Sequence, residues 1–197
     1  MKIGRITLSD RASQGIYEDK SGPEIERIIT ATFEEPSEFI RVLIPDDRDQ
    51  LRAALIRLCD EEKCPLVLTT GGTGPSKRDI TPETTREVLD KELPGFGEVM
   101  RYYSYERVRT AVLSRATAGI RGESLIINLP GRPKAVSFCL KLLREAIVEG
   151  LEHITGKRPT LFVDPITIPL EKYLPFLKKL RPKPDPRDKI TTHKPLN

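Results

Sequence analysis

Pro65-Leu66-Val67-Leu68-Thr69-Thr70-Gly71-Gly72-Thr73-Gly74-Pro75 joins a continuous apolar and β-branched run to a glycine-rich turn. A run without polar alternation belongs to a strand buried on both faces, as in a parallel sheet covered by helices. Two further strand-like runs precede it. Ile3, Ile6 and Leu8 form the first, which breaks into polar Asp10-Arg11-Ala12-Ser13, and Phe39 to Ile44 form the second, closed by Pro45. Between them Pro23 suits a first helical turn, and Ile25, Ile28, Ile29 and Thr32 repeat at helical spacing for about a dozen residues. A second helix starts from Asp46 or Asp47, either a good N-cap, and carries Leu51, Leu55 and Leu58 on one face. Strand, helix, strand, helix, strand implies right-handed crossovers and a parallel sheet.

Downstream, Thr81-Pro82 reads as a helix start with threonine as N-cap. Pro94-Gly95-Phe96-Gly97 predicts a break before a helical piece from Glu98 to Tyr105. The segments Arg115 to Arg121 and Ser124 to Leu129 flank Gly122-Glu123 and predict a hairpin added antiparallel at one side of the sheet. Val136, Leu140, Leu143, Ile147 and Leu151 mark the buried face of a last helix from about Pro133. The expected fold is an α/β three-layer sandwich: a mostly parallel sheet, helices on both faces and an antiparallel hairpin. Residues 1–157 form its domain, and 158–197 form a basic, proline-rich extension.

With 197 residues and 38% apolar composition, the chain has material for one real core. Cys59, Cys64 and Cys139 are odd in number and lie in periodic apolar stretches, which argues against a disulfide scaffold; the only histidines, His153 and His193, are too distant from them for a zinc site. No apolar run reaches the roughly 18 residues of a membrane helix, and the amino terminus enters a strand pattern at once. The expectation is a soluble, cytoplasmic protein. The formal net charge of +4 is concentrated at the end: residues 178–197 hold seven of the 33 basic residues and two of the 29 acidic ones. A near-neutral body with a basic tail is not the footprint of a nucleic-acid-binding fold.

Ligands of open α/β sheets bind beyond the carboxyl ends of the strands. Four unusual loops lie there: Ser9-Asp10-Arg11, Pro45-Asp46-Asp47, Thr69-Thr70-Gly71-Gly72-Thr73-Gly74-Pro75 through Asp79, and Leu129-Pro130-Gly131-Arg132-Pro133-Lys134. Glycine-rich backbone can form a nest of amides for phosphate oxygens, though equally it can simply make a tight turn. The loop is neither a P-loop nor a dinucleotide fingerprint, because Ser76 and Lys77 stand where those motifs need other residues. Asp46 and Asp79 could reach a magnesium ion carried by a polyphosphate, since Mg²⁺ takes one or two protein carboxylates; helix capping and pairing with Arg78 or Lys77 are the plainer readings. Arg11, Lys77, Arg78, Arg115, Arg132 and Lys134 are the basic partners available for phosphate groups. Ser9 lacks both a nucleophile-elbow motif and a histidine base.

Taken together, Ser9 to Ser13, Leu43 to Asp46, Thr69 to Pro75, Arg78 to Glu83, Leu93 to Gly97, Leu113-Ser114-Arg115 and Asn128 to Lys134 resemble, in order, the motifs of molybdopterin adenylyltransferases of the MogA type, related to the amino-terminal domain of gephyrin. The resemblance spans roughly residues 3 to 150. It implies an enzyme of molybdenum cofactor synthesis that transfers AMP from Mg-ATP to the terminal phosphate of molybdopterin, releasing pyrophosphate. It also implies a homotrimer and hand-over of the product to a metal-insertion protein. The family's two functional aspartates match Asp46 and Asp79, its glycine loop matches Thr70 to Gly74, and further pocket positions match Ser9, Asp10, Ser114, Pro130 and Gly131. A MoaB-like or purely scaffolding protein of the same fold is the alternative.

Overall fold

The computed structural model describes residues 1–162; the expectations for the rest of the extension lie outside the described residues. Strands β1 (Lys2–Leu8), β2 (Glu38–Ile44), β3 (Leu66–Thr70), β4 (Lys91–Glu92), β5 (Ala118–Arg121) and β6 (Ser124–Leu129) make one six-stranded sheet in the order β2-β1-β3-β6-β5-β4. β1 pairs parallel with β2 and β3, and β3 with β6, whereas β5 runs antiparallel to β6 and β4 to β5. The expected mostly parallel sheet with an antiparallel hairpin is therefore observed. Every residue of β3 is buried, as its unbroken apolar run requires, because helices cover both faces.

On one face Leu66, Leu68, Leu125 and Ile127 pack with Ile25 and Ile29 of α2 (Ser21–Thr32) and with Val136, Leu140 and Leu143 of α6 (Pro133–Thr155). On the other, Val67 and Ile126 meet Leu51 and Leu55 of α3 (Arg48–Ile56) and Val88 of α4 (Thr81–Val88). Successive strand residues alternate between the two cores, the period of two made visible.

Several local expectations are corrected. Asp10–Ser13 is not a loop but one helical turn, α1, capped by Ser9, whose Oγ accepts the Ala12 amide at 3.2 Å. Thr81 is not the N-cap of α4; Ile80 holds that place, and the buried Thr81 hydroxyl donates to the Gly71 carbonyl at 2.9 Å. Pro94-Gly95-Phe96-Gly97 does not break a helix but opens one: α5 runs Pro94–Tyr105 with proline in the first turn, where no amide is needed. Gly97 fits because a Cβ there would lie 2.0 Å from the Ala116 carbonyl. α3 continues as a π-helical turn, Arg57–Glu61, and a 3₁₀ turn spans Arg109–Leu113. α6 extends four residues past Leu151, to Thr155, before Gly156 ends it at φ +70°. Residues beyond it return along α2: Leu161 bridges Phe33, and the Phe162 amide donates to the Thr32 carbonyl at 3.0 Å.

Candidate active site

β1, β2, β3 and β6 are mutually parallel, so the loops leaving Leu8, Ile44, Thr70 and Leu129 emerge at one edge of the sheet, and hydrogen bonds join them there. The Ser9 amide donates to the Ile44 carbonyl at 2.9 Å. Asp10 and Asp46 are linked reciprocally, the Asp46 amide donating to Asp10 Oδ1 at 3.0 Å and the Asp10 amide to Asp46 Oδ2 at 3.3 Å. The Thr70 hydroxyl donates to the Pro130 carbonyl at 2.8 Å, and Gly131 approaches so closely that a Cβ on it would touch Gly71 Cα at 3.4 Å.

The glycine turn is a structural necessity. Gly71 has φ +98° and a Cβ there would sit 2.2 Å from the Leu8 carbonyl oxygen; Gly72 has φ +61° and its Cβ would meet Thr81 Oγ1 at 2.4 Å and Asp46 Oδ1 at 3.2 Å. Asp46 thus lies directly against the turn. Asp79 lies against its other end, Oδ2 being 3.0 Å from a Cβ on Gly74 and accepting the Ser76 amide at 2.9 Å. The amides of Gly72, Thr73 and Gly74 donate to no other group among the described residues, which leaves three N–H groups available to an anion.

Asp46 and Asp47, interchangeable on the sequence, separate here. Asp47 is the N-cap of α3, accepting the Gln50 amide at 2.9 Å, and this leaves the Asp46 side chain to the site. Burial pushes the Asp46 carboxyl above its ordinary value of 3.8, and the nearby Asp10 and Asp79 carboxylates add to the rise against the hydrogen bond it accepts. Asp10 moves the other way: the Arg78 guanidinium, bonded to both its oxygens at 2.6 Å, holds it below that value, helped by the Asp46 amide.

The remaining expected residues divide by position. Ser9 and Arg11 stand beside Tyr17, whose hydroxyl is 2.8 Å from Ser9 Oγ and whose ring lies 5.3 Å from the Arg11 guanidinium. Arg115 is committed to the protein: its amide donates to the Thr73 carbonyl at 2.9 Å, Nε to Gly74 O at 2.8 Å and Nη2 to Asp79 O at 2.6 Å, with Glu83 pairing Nη1. Ser114 precedes it, half-buried, and Lys134 is exposed in the first turn of α6.

Three participants lay outside the expected set, Thr81 beneath the turn, Tyr17 and Asp19, while Arg78, expected as a cation for phosphate or a partner of Asp79, is bonded to Asp10. Asp19 accepts the amides of Ser21 and Gly22 at 3.0 and 2.9 Å, starting α2, and pairs with buried Arg5 at 2.9 Å. An aspartate two residues before a helix start is a readable signal; nothing in the sequence marks Tyr17. Thr7, Tyr17, Asp19, Thr70, Gly71 and Gly131 line a cleft of about 550 Å³ beside the turn. A larger hollow of about 830 Å³ lies among Met1, Lys2, Lys63 and Glu123, at the opposite ends of the strands and away from both aspartates.

Comparison with known proteins places the chain in a family. Residues 4–149 match the family model for the probable molybdopterin binding domain. The chain is 52% identical over 154 residues to the molybdopterin adenylyltransferase of Helicobacter pylori (strain ATCC 700392 / 26695), covering 78% of this chain and 88% of that protein. It is 47% identical over 155 residues to that of Escherichia coli (strain K12), covering 77% and 80%. Among solved structures, the molybdopterin biosynthesis enzyme MoaB of Thermus thermophilus superposes with a TM-score of 0.74 at 37% identity, over 81% of this chain and 99% of that one. The tungsten cofactor synthesizing protein MoaB of Pyrococcus furiosus gives 0.69 at 40% identity, over 78% and 96%. With the four loops converging on one glycine turn and matches spanning nearly all of the described residues, the chain belongs to the molybdopterin-binding domain family that includes the molybdopterin adenylyltransferases.

Proposed function

We propose that this chain is a molybdopterin adenylyltransferase that works at the glycine turn between Asp46 and Asp79. The carrying observation is that two carboxylates from separate loops flank three unengaged backbone amides. In the reaction an oxygen of molybdopterin's terminal phosphate attacks the α-phosphorus of ATP; the new P–O bond forms as the bond to the β-phosphate oxygen breaks, and pyrophosphate leaves. The nucleophile is already an anion, so no general base is required, and positioning with charge stabilisation carries the catalysis. The amides of Gly72 to Gly74 receive phosphate oxygens, Ser9 faces the cleft, and Arg115 braces the turn through the Gly74 and Asp79 carbonyls.

The residues fit a magnesium ion. Asp46 is partly buried near two other carboxylates, an arrangement whose repulsion a hard cation relieves. Among the described residues no cluster of three ligating side chains closes a site by itself, so phosphate and water would supply the remaining ligands. When bound, the ion neutralises charge on the polyphosphate; Asp46 and Asp79 are the residues that would hold it.

Assembly is part of the reading. Tyr102, Tyr105, Val108, Val112 and Leu113 are large apolar residues 43–61% exposed on α5 and the turn after it, and such a patch supports a homo-oligomer, a trimer by family resemblance. The product passes to a separate metal-insertion protein. No helix among the described residues is long and apolar enough to cross a membrane, in keeping with work in the cytoplasm.

Likeness to the MoaB structures favours one second reading, a pterin-binding protein without transfer. Purified protein, Mg-ATP and molybdopterin separate the two. Pterin-dependent pyrophosphate release is expected, falling by about 10²-fold or more in Asp79→Asn with pterin binding retained. Pterin binding without pyrophosphate release by the unaltered protein sinks the transferase reading.

A further inference from the structure

Three carboxylates, those of Asp10, Asp46 and Asp79, lie at the turn, and one of them, Asp10, binds a cation directly. Arg78 Nη2 reaches Asp10 Oδ1 and Oδ2 at 2.6 Å each, and Nε reaches Oδ2 at 3.1 Å. Its guanidinium has no other hydrogen-bond partner among the described residues. The contrast with Arg115 is informative. Arg115 is held largely by backbone carbonyls, neutral groups that a metal ion or phosphate gives no cause to exchange, whereas the partner of Arg78 is a carboxylate for which a divalent cation competes. Arg78 is also the more exposed: its side chain is 64% exposed, and its backbone amide makes only a long 3.4 Å contact with Ser76 Oγ. An ion pair so exposed is weakly held and can open at little cost.

The loops it joins are those that must accept the ligand. Asp10 sits on α1 and is bonded to the Asp46 amide at 3.0 Å, and Arg78 immediately precedes Asp79. Resting on the reading of this turn as a metal-polyphosphate site, we infer that Arg78 is a displaceable counter-ion: in the free protein it neutralises Asp10 beside Asp46, and it yields that place to a divalent cation and turns to the phosphate oxygens arriving with it. A plain bracket between loops would instead strengthen or weaken both ligands together.

The test reads metal and nucleotide separately. Mn²⁺ alone is titrated by loss of its free EPR signal, and Mg-ATP by calorimetry, on the unaltered full chain, Arg78→Gln and Arg78→Lys. Removing one unit charge several ångströms from the ion is expected to tighten Mn²⁺ binding about three- to thirtyfold in Arg78→Gln. Mg-ATP binding is expected to weaken severalfold in the same variant, and Arg78→Lys to stay near the unaltered protein for the metal. Opposite signs for the two ligands support the exchange. Unchanged or weaker Mn²⁺ binding in Arg78→Gln, with the unaltered protein binding both ligands, overturns the counter-ion role alone; an unaltered protein that binds neither overturns the metal-polyphosphate reading as well.

Discussion

Asp47 accepts the Gln50 amide and starts α3, while its neighbour Asp46 turns to Asp10 and the glycine turn, so two adjacent aspartates of identical chemistry do different work. The difference has a pH signature. Because burial and the Asp10 and Asp79 carboxylates raise the Asp46 pKa in the folded chain, the folded state keeps that proton to a higher pH than the unfolded one. Ionised Asp46 therefore costs stability above this window, and the cost disappears as pH falls through the raised value. Asp46→Asn is expected to stabilise the ligand-free protein at pH 7 by about 0.5 kcal/mol, a figure discounted for solvent screening, and to lose the reaction. Denaturant melts at pH 7 and pH 3 check it: the gain should close at the lower pH, and a variant less stable than the unaltered protein at pH 7 sinks the account. Asp10 carries the opposite sign, since Arg78 lowers its pKa and the benefit is lost as pH falls below the ordinary carboxylate range. Among single residues, Gly71, Asp46 and Asp79 could be picked from the sequence because their neighbours were distinctive. Tyr17 and Thr81 could not, because a tyrosine or threonine acquires meaning only from what folds against it.

At the scale of elements, hydrophobic period read the long helices and central strands correctly and misread their ends. Pro94 and Gly97 look like breakers in a sequence, but proline opens α5 where no amide is needed and glycine admits the Ala116 carbonyl. β4 escaped notice because its two residues, Lys91 and Glu92, are exposed and pair only with Gly119 and Ile120. The proposed chemistry rests on the turn from Thr70 to Thr81, and Arg115 spans it from outside. Arg115→Ala removes donors from the Gly74 and Asp79 carbonyls, an expected loss of about 1–3 kcal/mol locally. Amide hydrogen exchange in residues 72–81 should speed up severalfold while β1, β3 and β6 stay protected. Arg115→Lys should not restore protection, because one ammonium cannot reproduce the forked geometry. Uniform acceleration across the sheet would mean that Arg115 supports global stability and not the turn.

Among the described residues the candidate site gathers at one edge of the sheet because parallel strands deliver their carboxyl ends together. The proposed assembly belongs to this scale. Leu113 is 52% exposed, and Ser114 and Arg115, which follow it, lead directly to the glycine turn, so contact between copies would steady the site from behind. Leu113→Asp is expected to shift sedimentation velocity from an assembled species toward monomer and to lower turnover; a monomeric unaltered protein at micromolar concentration would refute the assembly. By itself the sequence determined the layered arrangement, the buried strand at its centre and the glycine turn that follows it, because period, breakers and glycine spacing are local properties that survive without neighbours. Only the tertiary structure decided which of Asp46 and Asp47 faces the turn, that Thr81 holds the turn from beneath, that Arg115 is spent on carbonyls and that Arg78 is held by Asp10. These are contacts between segments far apart in the chain, and a side chain's role there depends on the distance and burial that folding alone creates.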